Sequence, residues 1–302
     1  MASTFSPPAG GGRPWPADLG IIDTLVGIPQ DPDSLYRSIR AATRDRESRE
    51  EFVMPASYMF HDVPDAHSQD VDPIAFLLDE MDRHGVEVGL ISLTANPEVA
   101  ERALAKHPDR FVGSITCDPN RGMEGVRALV RAHEQFGVRG VNIAPHQWVP
   151  QVAIDAPLMY PLYAKCVELG IPVFVTVGIA GPRVPSRVQH VELIDQVMYD
   201  FPELVFVMRH GAEPWTELAV KLMIKWPNLY YSTSAFAPKY YPKAILDYAN
   251  TRGADKILYA GYFPMGLTLD RIIRELADLP LRESVWPKFL RENAARILGL
   301  SG

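Results

Sequence analysis

Eight short, almost wholly apolar runs alternate with helix-like stretches along this chain, and that alternation limits its fold more than any other feature. The runs are GIIDTLVG (20–27), VEVGLISL (86–93), RFVGSITC (110–117), VRGVNIA (138–144), IPVFVTVG (171–178), LVFVMRH (204–210), NLYYSTS (228–234) and KILYAGYF (256–263). Continuous apolar runs, rather than strict alternation, suit parallel strands covered on both faces. Between them lie helical patterns such as DPIAFLLDEMDRHG, with an Asp-Pro start and a Gly stop, and GMEGVRALVRAHEQFG. Eight strand–helix units predict an α/β fold, a (β/α)8 TIM barrel. An open doubly wound sheet would want a Gly-rich phosphate turn after the first strand, and DTLVGIPQ is not one.

The connection after the first strand, about 27–71, is long enough to be a functional insertion. It carries a charged helical pattern, DSLYRSIRAATRDRESREEF. RESVWPKFLRENAARILGL predicts an amphipathic C-terminal helix packed on the barrel. Residues 1–19, rich in Gly and Pro, read as a flexible N-terminal arm ahead of one barrel domain, 20–302.

Composition removes several classes of function. With 47% hydrophobic and 22% charged residues, the chain is neither disordered nor fibrous. A net charge of −7 opposes binding to a phosphate backbone, so no nucleic-acid partner is expected. Cys117 and Cys166 are the only cysteines, which excludes a disulfide framework and suits a reducing cytoplasm. No apolar run reaches the roughly 18 residues of a membrane span, and MASTFSPPAGGGRPWP lacks the apolar core of a secretion signal. There is no G-x-S-x-G, H-E-x-x-H, C-x-x-C or G-x-x-x-x-G-K-[ST] motif.

Active sites of such barrels form at the carboxyl ends of the strands. Position therefore nominates Leu25, Gly27, Thr94, Asn96, Cys117, Asp118, Asn142, His146, Thr176, Arg209, His210, Glu213, Thr233, Ser234 and Tyr262.

Four segments, FPELVFVMRHGAEPW (201–215), NLYYSTSAFAP (228–238), KILYAGYFP (256–264) and FLRENAARILGL (289–300), carry a family likeness. With them the chain resembles, from about residue 20 to residue 300, the amidohydrolase-related branch of the amidohydrolase superfamily. That group includes aminocarboxymuconate-semialdehyde, resorcylate and related decarboxylases and some lactone hydrolases. The resemblance implies one divalent metal, usually zinc or manganese, held by an H-x-H on strand one, a histidine after strand five, in some members a histidine after strand six, and an Asp ending strand eight. Carried over, the H-x-H falls on Leu25 and Gly27, the strand-five His on Thr176 and the strand-eight Asp on Tyr262. Only the strand-six His is kept, as His210. An open catalytic zinc site needs about three protein ligands. The expectation is therefore a barrel with no metal and no other cofactor.

The remaining groups suggest acid–base chemistry. His210 is a candidate general base or acid, or else a hydrogen-bonded structural histidine. Glu213, just before Pro214, reads as its acid–base partner or as an acid in the first turn of a helix. Tyr262 donates a hydrogen bond where charge develops, or fills the space of the missing metal. Thr176, Asn142, His146 and Trp148 are candidate substrate contacts. Arg209 is a candidate bidentate clamp for a carboxylate, and Arg183 an attractor of anions. Strand alternation allows at most one of Arg209 and His210 to face the barrel axis unless the strand ends at 209.

Two functions follow as expectations. One is a metal-independent enzyme of hydrolase or carboxy-lyase type acting on a small carboxylated or cyclic compound. The other is a non-catalytic subunit of a metal-bearing paralogue, with the aromatics of YYSTSAFAPKYY (230–241) at the interface. Homo- or hetero-oligomers are the corresponding assemblies.

Overall fold

The computed structural model describes residues 13–29, 40–51, 71–264 and 266–300. Each apolar run yields a strand: β1 Ile21–Asp23, β2 Val86–Ser92, β3 Phe111–Thr116, β4 Val141–Ile143, β5 Val173–Thr176, β6 Phe206–Arg209, β7 Leu229–Ser232 and β8 Ile257–Leu258. The strands are parallel and neighbour one another in chain order. β8 meets β1 where Thr24 donates to the Tyr259 carbonyl from its backbone N, at 3.2 Å, and from its hydroxyl, at 2.8 Å. The Asp23 carboxylate accepts from Gly261 N across the same seam, at 3.0 Å. The architecture is the expected TIM barrel.

Helices α1 Pro73–His84, α2 Pro97–Lys106, α3 Met123–Phe136, α4 Tyr160–Leu169, α5 Leu193–Asp200, α6 Thr216–Lys225, α7 Lys243–Ala249 and α8 Leu269–Leu276 follow β1 to β8 in turn. Local chemistry sets their ends. Proline opens α1 and α2, where its missing N–H costs nothing. The Asn96 side chain caps α2 by accepting from Val99 N, and Thr268 caps α8 by accepting from Arg271 N. α1 stops at Gly85, whose φ of 75° favours a residue with no Cβ. Its buried residues Ile74, Leu77, Met81 and His84 form one stripe. Each such apolar side chain contributes about 1.5–3 kcal/mol on burial.

Two cores result. The larger lies between sheet and helices. The smaller fills the barrel interior with Ile22, Leu90, Val112, Phe174, Val207, Tyr230 and Leu258. It is closed at the amino-terminal end of the strands by Ala294, Ala295, Ile297 and Leu298 of α9 Asn293–Leu298. A π-helical turn, Lys288–Glu292, leads into α9. Asn293 fixes this plug by donating to the carbonyls of Ala254, ahead of β8, and of Ile257, its first residue.

Several expectations change. Residues 1–12 of the expected arm lie outside the described residues, but Trp15 is buried on the barrel, with its ring 4.8 Å from that of Trp286. Of the charged helical pattern (33–52), residues 33–39 and 52 lie outside the described residues. The described part holds helical residues at 40–42 and a turn at Glu47–Glu51. Glu213 is not in a helical first turn, because α6 begins at Thr216. The aromatic segment 230–241 offers little to a partner: Tyr230, Tyr231 and Tyr241 are buried, and Tyr240 is the tyrosine exposed.

Candidate active site

Alternation along the strands builds the site. If Leu90, Val112, Phe174 and Val207 face the interior, so do the residues two positions on, Ser92, Ser114, Thr176 and Arg209. The apolar floor is thus topped by a polar layer. Above it opens a cavity of about 230 Å³. Leu25, Val26, Gly27, Ile28, Ile143 and Phe174 supply apolar walls, and Ser92, Thr116, Asn142, Thr176, Arg209, His210 and Tyr262 supply polar ones.

Arg209 organises the polar layer. It is only 4% exposed. Nη1 donates to Asn142 Oδ1 at 2.7 Å and Nη2 to the Thr24 carbonyl at 2.6 Å. The guanidinium lies 4.3 Å from the centre of the Phe174 ring, a cation–π contact. The orientation of Asn142 is forced. Ser114 Oγ donates to the Ile91 carbonyl, so its oxygen accepts from Asn142 Nδ2, at 2.9 Å, and the amide oxygen must turn to Arg209. Among the described residues no carboxylate lies within ion-pair distance of Arg209, and its Nε is buried without a partner. Burial pulls its pKa down to about 9, against the opposing influence of Asp23 and then Tyr262. Two of its five N–H groups are engaged by protein, so a bidentate clamp on a ligand would have to use the others.

Asp23 is fully buried. One oxygen accepts from Gly261 N and Leu25 N, at 3.0 and 2.9 Å, and the other has no partner. Burial raises its pKa to about 7, against those backbone hydrogen bonds and the charge of Arg209.

Arg209 and His210 both line the cavity. Strand alternation fails between them because β6 ends at Arg209 and His210 turns into the left-handed region, with φ of 63°. Tyr262 does the same, with φ of 60°. Such backbone costs a non-glycine residue roughly 1–2 kcal/mol. The two rings meet edge to face, with centroids 5.4 Å apart. His210 N donates to Ser234 Oγ, and Nδ1 lies 3.2 Å from the same oxygen. Burial, then the charges of Arg209 and His146, lowers the His210 pKa to about 3, so the imidazole is neutral in ordinary buffers.

The other expected residues divide. Thr176 and Asn142 reach the cavity, and Thr176 pairs with Arg209 in the β5–β6 ladder. His146 and Trp148 do not line it. A short helical turn, Pro145–Gln147, sends Gln147 to the cavity and buries His146 beneath the loop. There Nδ1 lies 2.7 Å from Gln189 Oε1, and burial lowers the His146 pKa to about 4. Trp148 belongs to the outer core. Glu213 is exposed and absent from the cavity wall. Arg183 pairs instead with Asp45 and Glu47 of the insertion, at 2.8 and 2.7 Å. Ser92, Ser114, Thr116 and Phe174 were missed by sequence reasoning that looked only past strand ends. Counting two residues along the strand from Leu90 and Val112 finds Ser92 and Ser114, and two more reach Thr116; Phe174 is itself one of the inward apolar residues.

The family model for amidohydrolases matches residues 32–300. A search of curated proteins gave no match. Among solved structures, an uncharacterised TIM-barrel protein from Bordetella bronchiseptica is 26% identical, with a TM-score of 0.69 over 93% of this chain and 99% of that one. 5-Carboxyvanillate decarboxylase from Novosphingobium aromaticivorans, complexed with manganese and 4-hydroxy-3-methoxy-5-nitrobenzoic acid, is 17% identical, with a TM-score of 0.68 over 93% and 96%. 2,6-Dihydroxybenzoate decarboxylase from Rhizobium is 18% identical, with a TM-score of 0.62 over 94% and 99%. Among the described residues no helix is long and apolar enough to cross a membrane.

Proposed function

The chain belongs to the amidohydrolase family, and on that premise we propose an enzyme of hydrolase or carboxy-lyase type that turns over a small carboxylated or cyclic compound at the barrel mouth. One observation carries this reading: the buried Arg209 cation beside the cavity has no carboxylate within ion-pair distance among the described residues. A buried charge left without a counter-ion is costly, and a ligand carboxylate supplies one. The apolar walls suit a ring, and about 230 Å³ suits a molecule below drug size. Two of the similar structures are named as decarboxylases of aromatic acids, which agrees with that substrate class.

We propose further that the chemistry is metal-independent. At the positions that the resemblance assigns to ligands, Leu25, Gly27, Thr176 and Tyr262 stand around the same cavity as His210. This donor set does not fit a divalent ion: leucine and glycine side chains have no lone pair, and a neutral hydroxyl or phenol is a weak substitute for imidazole or carboxylate. Among the described residues no group of three or more His, Cys, Asp or Glu could hold a metal. In this reading Arg209 draws in the carboxylate. His210 and Tyr262 face the reacting part of the substrate, with Thr176 and Asn142 beside it. The lost ligand positions equally favour a second reading, a catalytically silent subunit of a metal-bearing paralogue.

The test uses the full chain, purified alone and dialysed against chelator, with a set of aromatic carboxylic acids and lactones. Carbon dioxide release or ester cleavage is followed. Turnover that falls by about 10²–10⁴-fold in His210→Ala supports the enzyme. Turnover that needs added manganese or zinc overturns metal independence. Activity that appears only with a co-expressed relative favours the subunit.

A further inference from the structure

Ser234 follows β7 and is 0% exposed. Its oxygen accepts the backbone N–H of His210, at 3.2 Å. Its hydroxyl hydrogen still needs an acceptor, because a buried hydroxyl left unpaired is unfavourable. Among the described residues the acceptor within reach is His210 Nδ1, also at 3.2 Å. If Nδ1 carried the proton, two hydrogens would point at one another or the hydroxyl would have no partner. The neutral ring must therefore hold its proton on Nε2. Among the described residues that nitrogen has no hydrogen-bond partner; it is not among the buried unpartnered atoms, and it belongs to a residue on the cavity wall.

The surroundings keep this arrangement rigid. Tyr231 Oη donates to the Gly211 carbonyl, at 3.1 Å. Gly211 itself lies so close to Phe236 that a Cβ would stand 2.5 Å from the ring. One serine thus grips both the backbone and the ring of a histidine already fixed in the left-handed region.

His146 provides the contrast. Gln189 donates from Nε2 to the Gly178 carbonyl, at 2.9 Å, so its amide oxygen faces His146 and accepts from Nδ1–H. The two neutral histidines carry their protons on opposite nitrogens.

We infer that Ser234 is a positioning residue that locks His210 in the Nε2–H form, so that His210 donates a hydrogen bond to an acceptor oxygen of the ligand instead of removing a proton. A neutral imidazole N–H is a very weak acid, so its part is to steady negative charge on that oxygen, not to give its proton away. With Arg209 on the same wall, the pocket takes a carboxylate, or a carbonyl that gains charge during reaction. The assignment of the proton stands on geometry; its catalytic meaning rests on the proposed function. The arrangement also disfavours coordination, since binding a metal at Nε2 would move the proton to Nδ1 and strand the Ser234 hydroxyl.

The test is nitrogen-15 NMR of the histidine rings in the full chain at neutral pH, with His210 assigned through His210→Gln. The expected spectrum has a protonated Nε2 and an unprotonated, well-separated Nδ1. A protonated Nδ1 overturns the inference in the wild type alone. In Ser234→Ala the two His210 signals are expected to converge or exchange places, and in Ser234→Thr to keep the wild-type pattern. An unchanged pattern in a folded Ser234→Ala removes Ser234 from the role. Sodium benzoate, added next, is expected to shift the Nε2 signal. A tautomer as stated, with no response to benzoate, leaves the lock standing and counts against the carboxylate reading of the pocket.

Discussion

Asp23 and Gly261 stitch the barrel shut: the carboxylate accepts the glycine N–H at 3.0 Å, and its second oxygen lies 2.6 Å from where a Gly261 Cβ would stand. The Tyr259 hydroxyl lies 2.7 Å from the same point. Neither neighbour is a loose chain end, since both are fully buried. Gly261→Ala is therefore expected to destabilise the fold by about 1–3 kcal/mol, as overpacking of a tight interior does. Urea unfolding read by tryptophan fluorescence measures it, and an unshifted midpoint would mean that the seam is slack.

Asp23 also makes stability depend on pH. Its folded pKa of about 7 lies above its ordinary 3.8, so the folded chain holds a proton that the unfolded chain has released. That stabilisation is complete below about pH 3.8 and is lost as pH rises through about 7. His210 and His146, at about 3 and 4, act in the opposite sense: the unfolded state binds protons that they refuse, so stability rises with pH up to about 6.5. Asp23→Asn removes only the falling contribution. Between pH 4 and 7 the variant is expected to gain on the wild type by up to about 1.4 kcal/mol per pH unit. Melting temperatures of the two proteins across that range decide it; parallel curves would place the Asp23 proton elsewhere.

Arg209→Gln removes the cation and keeps a donor. If a ligand carboxylate is drawn by that charge, benzoate binding by calorimetry is expected to weaken about tenfold or more, as loss of a charged hydrogen bond does. Unchanged affinity would detach Arg209 from recognition.

Arg183→Ala tests the opposite case. Its ion pairs with Asp45 and Glu47 are partly exposed, and exposed pairs contribute little to stability. The urea midpoint is expected to stay near that of the wild type, with any difference fading in high salt. A large, salt-insensitive loss would show that the contact anchors the insertion more firmly than its exposure implies.

The barrel was legible because parallel strands buried on both faces leave eight apolar runs at regular spacing, and the caps at Asn96, Thr268 and Gly85 follow from local chemistry. The mouth was legible only in part. Position nominates His210, Asn142, Thr176 and Tyr262, which line the cavity, and on the same ground His146 and Glu213, which do not. Arg183 is nominated by its charge and Glu213 by its position three residues beyond His210, and neither says anything of direction. One turned to the insertion and the other to solvent. The joint presence of Arg209 and His210 depended on a single left-handed φ, which no residue pattern marks when the residue is not glycine. The proton on His210 depended on Ser234, twenty-four residues further along the chain.

With Ala294, Ala295, Ile297 and Leu298 stoppering the barrel from beneath, the chamber is a well and not a tunnel. Among the described residues this plug shuts the side below Arg209, so under the proposed function a substrate enters and its product leaves on the carboxyl side of the strands.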